Sequence, residues 1–287
     1  FHENLTDSLT KERGGRHGGK GHEFQRYWAL CHLLKLDVER SDYILLVEFI
    51  EDVAVLNSAN APTELDLFQI KKKEGAVGAK WTKTTLSKPP KDGVSILAKL
   101  YESKRVVPEA KASIAFVSNA PVEFPLHDGT SSTEREHFCA AEIEATLKDT
   151  LQKSIAGELK CDEQDIEFGA LTFLKSPLAM DDLENHAIGR VSSYLGEKFP
   201  THGARADVFC KALYGELKIR ATSTQEAASF EELCQIRGIA KSQFDTMLAT
   251  TLARKPDSEI IDAAISGLTQ EKVPFTERTK VKEAARR

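Results

Sequence analysis

One helical stripe followed at once by three short apolar runs is the pattern that most constrains this chain. Phe24, Tyr27, Trp28, Cys31 and Leu34 recur at i, i+3, i+4, i+7 and i+10, on one face of a helix from residue 20 to about residue 36. Strand-length runs follow over 42–49, with Tyr43, Leu45 and Val47 on one side, over 52–56, with Val53 and Val55, and over 64–72 after an Asn-Ala-Pro-Thr turn. A helix buries a stripe and a strand buries a face, so a sheet with the helix laid across it hides them all.

Helical spacing resumes over 95–105 (Ile96, Leu97, Leu100, Tyr101), and 112–118 reads as a short buried strand. This order, completed within about 100 residues, predicts an α/β fold. Its first three strands are antiparallel neighbours and its fourth returns through a helical crossover. Residues 134–153 read as a helix and 166–174 as a further strand of the same sheet. Beyond residue 180 the signals are mainly helical, over 183–199, 206–217, 230–238, 242–253 and 259–268. A boundary near 178 divides a predicted domain of residues 1–178 from a helical region of residues 179–287.

At 41% hydrophobic and 29% charged residues the composition is that of a soluble globular protein. The longest apolar candidate, 43–50, is broken by Glu48, so no membrane span is expected. Cys31, Cys139, Cys161, Cys210 and Cys234 form no CxxC pair, which argues for core thiols in a reducing cytoplasm and against a zinc knuckle. No secretory leader opens the chain, and the start at Phe1 and the basic end read as those of a processed fragment. The net charge of −5 gives no reason to propose nucleic acid as partner, but its distribution does. Residues 67–91 hold seven lysines against one acid, Glu74, and a basic glycine-rich run spans 13–21.

The residues able to carry chemistry are Glu48, Glu51 and Asp52, then Gln69 and Lys71. Alternation along a strand puts Gln69 and Lys71 on one face and Ile70 on the other. An acid at one strand end, an oxygen-bearing side chain on the next and the Ile70 carbonyl between them suit a hard cation such as Mg²⁺. A lysine beside them can orient water and offset charge on a phosphate.

An acid followed by Gln-x-Lys on the second and third strands resembles the PD-(D/E)XK nuclease superfamily. Arg13-Gly14-Gly15, the helix start Gly21-His22-Glu23-Phe24-Gln25, Glu48-Phe49-Ile50-Glu51-Asp52 and Phe68-Gln69-Ile70-Lys71 narrow the likeness. They are similar to the double-stranded DNA endonuclease domain of bacterial CD-NTase-associated effector nucleases, which also serves in anti-phage complexes such as Lamassu. Ser95 to Tyr101 and Phe116 to Asn119 extend it to about residue 120. Where many relatives in the wider superfamily carry a helix-borne glutamate, this chain has Gln25.

The resemblance implies a restriction-endonuclease-like αβββαβ core followed by a mainly helical C-terminal region. It also implies metal-dependent hydrolysis of double-stranded DNA with little sequence specificity, as the effector of an anti-phage system. Asp52, Gln69 and the Ile70 carbonyl would fix Mg²⁺ or Mn²⁺, Lys71 and the metal would orient the attacking water, and Glu48 would add a metal ligand through water. Lys72, Lys73, Lys80 and Lys83 would contact phosphates, as would Arg16 and Lys20. Trp81 would either stack on a base or sugar or serve as a packing anchor. The C-terminal region would act as a sensor or dock on a partner such as an SMC-like or helicase-type ATPase, and because the chain has no Walker A sequence any ATP use would belong to that partner. Two nuclease domains side by side would cut both strands.

His17 and His22 read as solvated surface, and Asp181, Asp182 and Glu184 as the first turn of a helix. A catalytically silent DNA-binding scaffold is the competing reading, and it would be favoured by loss of Asp52 or Lys71, both of which are present. A helix-turn-helix over 230–253 has the right outline, but 242–252 carries no Lys or Arg.

Overall fold

The computed structural model describes residues 19–74, 78–107, 110–200, 205–252 and 257–285. The aromatic stripe forms α1 (Gly19–Glu39), followed by the meander β1 (Ile44–Val47), β2 (Val53–Leu56) and β3 (Glu64–Lys71). Short α2 (Lys83–Ser87) and α3 (Ile96–Lys104) lead to β4 (Lys111–Ser118), and then come β5 (His137–Cys139), α4 (Ala145–Leu159) and β6 (Leu171–Lys175). The remainder is α5 (Leu183–Lys198), α6 (Ala206–Thr222), α7 (Phe230–Arg237), β7 (Gly238–Ala240), α8 (Lys241–Leu252), α9 (Asp257–Gln270) and α10 (Phe275–Ala285).

The strands form one seven-stranded sheet in the order β5-β6-β4-β3-β2-β1-β7. The first three pair antiparallel, and β4 lies parallel to β3 after the helical crossover, as the element order requires. Strand alternation builds two cores from one sheet. Ile44, Leu46, Ala54, Leu56, Leu65, Leu67, Ile114 and Phe116 pack on one face with residues of α3 and α4. Leu45, Val47, Val53, Val55, Phe68, Ile70, Ala115 and Val117 pack on the other with α1, α5, α6 and α8. Because both faces are covered, the central strands are apolar on both sides.

The second core draws on residues from both sides of position 178. Tyr27 of α1 stacks on Tyr214 of α6 with ring centroids 4.4 Å apart. At the far end of α1 the fully buried Asp37 carboxylate accepts the Tyr194 hydroxyl at 2.6 Å and pairs with Lys198 of α5 and, at 3.1 Å, with Lys241 of α8.

Three segments differ from the sequence expectation, and the basic end, helix-compatible by sequence, forms the terminal helix α10. Residues 134–153 are not one helix: Phe138 leaves for the edge strand β5, stacking on Phe173 at 4.8 Å, and α4 starts only where Glu144 caps the Thr146 and Leu147 amides. Local propensity there favours a helix, and a tertiary aromatic cluster overrides it. The lysine-rich stretch after β3 buries Trp81 and Leu86 and contains α2, capped by Thr82. Residues 238–240 form β7 against β1, so the segment between α7 and α8 is a strand and not the turn of a helix-turn-helix. Among the described residues no helix is long and apolar enough to cross a membrane, and all five cysteines are free thiols.

Candidate active site

The site lies where β1 turns into β2. The Glu48 amide donates to the Asp52 carbonyl at 3.0 Å and the Phe49 amide to the Glu51 carbonyl at 3.2 Å, closing the turn. Glu48 takes the left-handed conformation with φ 49°, a strained choice for a residue with a β-carbon. Phe49 and Ile50, buried at the tip, anchor it in the first core. The three acids then part company. Glu51 points inward and accepts the Ser103 hydroxyl of α3 at 2.6 Å, whereas Asp52 turns to β3 and Glu48 to α1.

Continuing the β2–β3 register one step past Val53 and Phe68 sets Asp52 opposite Gln69. Asp52 Oδ2 accepts Gln69 Nε2 at 2.5 Å and the Ile70 amide at 2.6 Å, and Lys71 Nζ stands 3.9 Å away. Gln69 is buried, while the Lys71 side chain keeps 38% of its surface exposed. The structure therefore brings together Asp52, Gln69, Ile70 and Lys71.

From the other side of the sheet α1 supplies two groups that the sequence reading did not place in the site. Buried Gln25 donates Nε2–H to the Ile70 carbonyl at 3.2 Å, and its Oε1 lies 3.0 Å from His22 Nδ1. His22 Nδ1 is in turn 3.5 Å from Glu48 Oε1, so His22 faces the site and is not a solvated surface residue. Gln25 lies to the side of the apolar stripe of α1 and left no periodic signal; the one hint was its position, where many relatives in the wider superfamily carry a helix-borne glutamate. Burial first, and then the neighbouring Asp52 charge, push the Glu48 carboxyl above its ordinary value, with His22 and Arg26 opposing them.

The groups near Asp52 that could hold a metal carry oxygens, on Asp52 itself, Glu48, the Gln69 amide and the Ile70 peptide, the donor type a hard divalent cation prefers. The Asp52 charge that disfavours ionised Glu48 is what such a cation would offset. Among the described residues no group of three His, Cys, Asp or Glu side chains converges to hold a metal ion, so amide and peptide oxygens would have to contribute.

The lysines after β3 are placed unequally. Lys72 pairs with Glu74, and Lys80 with Glu123 at 2.7 Å. The Lys73 backbone is clamped from both sides by the Asn119 amide, and its Nζ sits 4.3 Å from the Trp81 ring centroid. Lys83 is exposed on α2. Trp81 is 8% exposed, packs edge-on against Phe116 and donates its indole N–H to Ser118 Oγ at 2.7 Å, a packing position and not a stacking platform. Arg16 and the Lys20 side chain lie outside the described residues.

A family model described as the Cap4 dsDNA endonuclease domain matches residues 13–221. No match was found among curated proteins. Among solved structures, a Moraxella osloensis Cap4 SAVED/CARF-domain containing receptor is 16% identical, with a TM-score of 0.48, over 81% of this chain and 47% of that one. The Acinetobacter baumannii receptor of the same description is 8% identical, with a TM-score of 0.45, over 80% of this chain and 46% of that one. The chain spans about half the length of these structures.

Proposed function

The chain belongs to the Cap4 dsDNA endonuclease domain family, and from that premise we propose that it hydrolyses phosphodiester bonds of double-stranded DNA at the Asp52–Gln69–Lys71 site. The observation that carries this reading is the convergence of Gln69 Nε2, the Ile70 amide and Lys71 Nζ on one oxygen of Asp52. With Oδ2 so occupied, the other oxygen of Asp52 is left for a ligand. Bound Mg²⁺ or Mn²⁺, held by Asp52, Gln69 and the Ile70 carbonyl, would supply positive charge beside the scissile phosphate.

The remaining work falls to the chain's own groups. Lys71, drawn to Asp52 yet still solvent-accessible, orients a water for in-line attack on phosphorus and offsets the charge that builds on the phosphate oxygens. The new P–O bond forms as the bond to the 3′ oxygen breaks, and the water's protons leave to solvent and to the departing oxygen. Glu48 orders a second water. The lysines after β3 bind phosphates without reading bases, in a salt-sensitive way.

In the same reading the protein is the effector of a bacterial anti-phage defence system, working in the cytoplasm where the DNA is. A nuclease that cut host DNA continuously would be toxic. Cleavage is therefore held in check until a partner, an SMC-like or helicase-type ATPase, or a second copy completes the assembly. The test is to incubate supercoiled and linear duplex DNA with the parent and with Lys71→Ala, in Mg²⁺ and in EDTA, at low salt. Mg²⁺-dependent cutting that Lys71→Ala loses while still binding DNA supports the reading. Equal Mg²⁺-dependent cutting by both proteins sinks it, and where neither cuts alone the same comparison is made with the co-purifying partners added, no cutting there leaving the silent scaffold.

A further inference from the structure

His22 and Gln25 sit one helical turn apart at the start of α1, and their hydrogen bonds can be assigned by elimination. The Ile70 carbonyl only accepts, so the Gln25 atom 3.2 Å from it must be the amide NH₂. Gln25 Oε1 therefore faces His22, and because that oxygen only accepts, the His22 Nδ1 3.0 Å away must carry a hydrogen. The Glu48 carboxylate oxygen 3.5 Å from the same nitrogen favours the same tautomer. None of these steps depends on how the amide oxygen and nitrogen were distinguished.

We propose that His22 is a positioning residue of the nuclease site: its Nδ1–H fixes the Gln25 amide, and that amide holds the Ile70 carbonyl. The assignment of a job to that carbonyl rests on the nuclease reading above. A carbonyl oxygen has two lone pairs, so one can accept from Gln25 while the other is aimed at a cation beside Asp52. Without His22 the buried Gln25 amide loses its only oriented donor among these groups. It then turns between two states, one of which sets Oε1 against the Ile70 oxygen, acceptor against acceptor. His22 reaches the site through Gln25 and need not touch DNA.

The test compares the parent, His22→Leu and His22→Asn, whose Nδ2–H lies close to where the imidazole Nδ1–H does. In metal-free, ¹⁵N-labelled protein the Gln25 side-chain amide is expected to exchange slowly in the parent and in His22→Asn, and on the order of tenfold faster in His22→Leu. Titration with Mn²⁺ alone, followed by calorimetry, is expected to show affinity weakened ~10–100-fold in His22→Leu and restored in His22→Asn, as for other residues that orient metal ligands. In cleavage assays kcat falls by a similar factor and KM for DNA holds. A His22→Leu variant with parental amide exchange and parental Mn²⁺ affinity overturns the proposal. The nuclease reading fails separately, through Lys71→Ala that cuts like the parent, and the amide exchange still decides whether His22 orients Gln25.

Discussion

Asp52 Oδ2 accepts the Ile70 backbone amide at 2.6 Å, which makes the acid of the candidate site a strut of the sheet as well. Asp52→Ala would strand that amide and the buried Gln69 side chain together. We expect a loss of about 2 kcal/mol in stability alongside any loss of cutting. Lys71 stands 3.9 Å from Asp52 with a partly exposed side chain, so Lys71→Ala should cost no more than about 1 kcal/mol. Thermal melts of both variants check this, and parental melting of Asp52→Ala would show that the strut bears no weight.

The same contrast explains what could be read from the sequence. The closeness of Asp52, Gln69 and Lys71 was legible because strand alternation and antiparallel pairing are local rules that put them beside one turn, whereas a role for them came only from the resemblance. Gln25 and His22 were not, because their approach to Ile70 depends on how α1 lies across the sheet, a tertiary fact without a sequence period. Trp81 shows the converse. Its lysine-rich neighbours left stacking on a base and packing both open, and Ser118 and Phe116, from a strand more than thirty residues on, draw it into the core. Three-residue strands such as β5 and β7 are too short to show a period and exist only because a neighbouring strand offers them partners.

Gly238 is one such case. A β-carbon there would lie 2.5 Å from Ile44 Cδ1 and 2.7 Å from the Cys234 carbonyl oxygen, too close for either. Gly238→Ala should push β7 off β1 and destabilise the protein by about 1–3 kcal/mol. Faster backbone hydrogen exchange at Ile239 and Ala240, confined to that edge, would mark the local cause. Unchanged exchange and melting would mean that the edge adjusts freely.

Asp37 ties α1 to α5 and α8, and its contribution depends on pH. Burial alone would push its carboxyl up, but hydrogen bonds from Lys198, Tyr194 and Lys241 outweigh burial and hold it below the ordinary value. A carboxyl lowered on folding contributes stability that is fully present above its unfolded value, ~3.9, and is lost as pH falls through the folded one. Asp37→Asn should therefore be less stable than the parent by about 2 kcal/mol at neutral pH, with the gap narrowing once pH drops below about 4. Melting both proteins at neutral and acid pH decides it. A gap that stays constant would mean that the charge of Asp37 contributes nothing.

The lysines and Trp81 make opposite predictions in one experiment, duplex DNA binding measured across a salt series. Lys83 is exposed, so if it meets a phosphate, Lys83→Ala should weaken binding alike on unrelated sequences and reduce the slope of log affinity against log salt by about one. Lys80 is already engaged by Glu123 and should matter less, since the pair must open before a phosphate can replace the carboxylate. Trp81→Phe keeps a ring in the core but leaves the Ser118 hydroxyl without the indole donor. Stability should then fall by about 1 kcal/mol with DNA affinity and salt slope unchanged. A stacking residue would behave the other way, losing about 1–3 kcal/mol of binding with the melt intact. That outcome would require the ring to leave its seat against Phe116 when DNA arrives, and it would move the DNA path from the surface of α2 toward the end of β4.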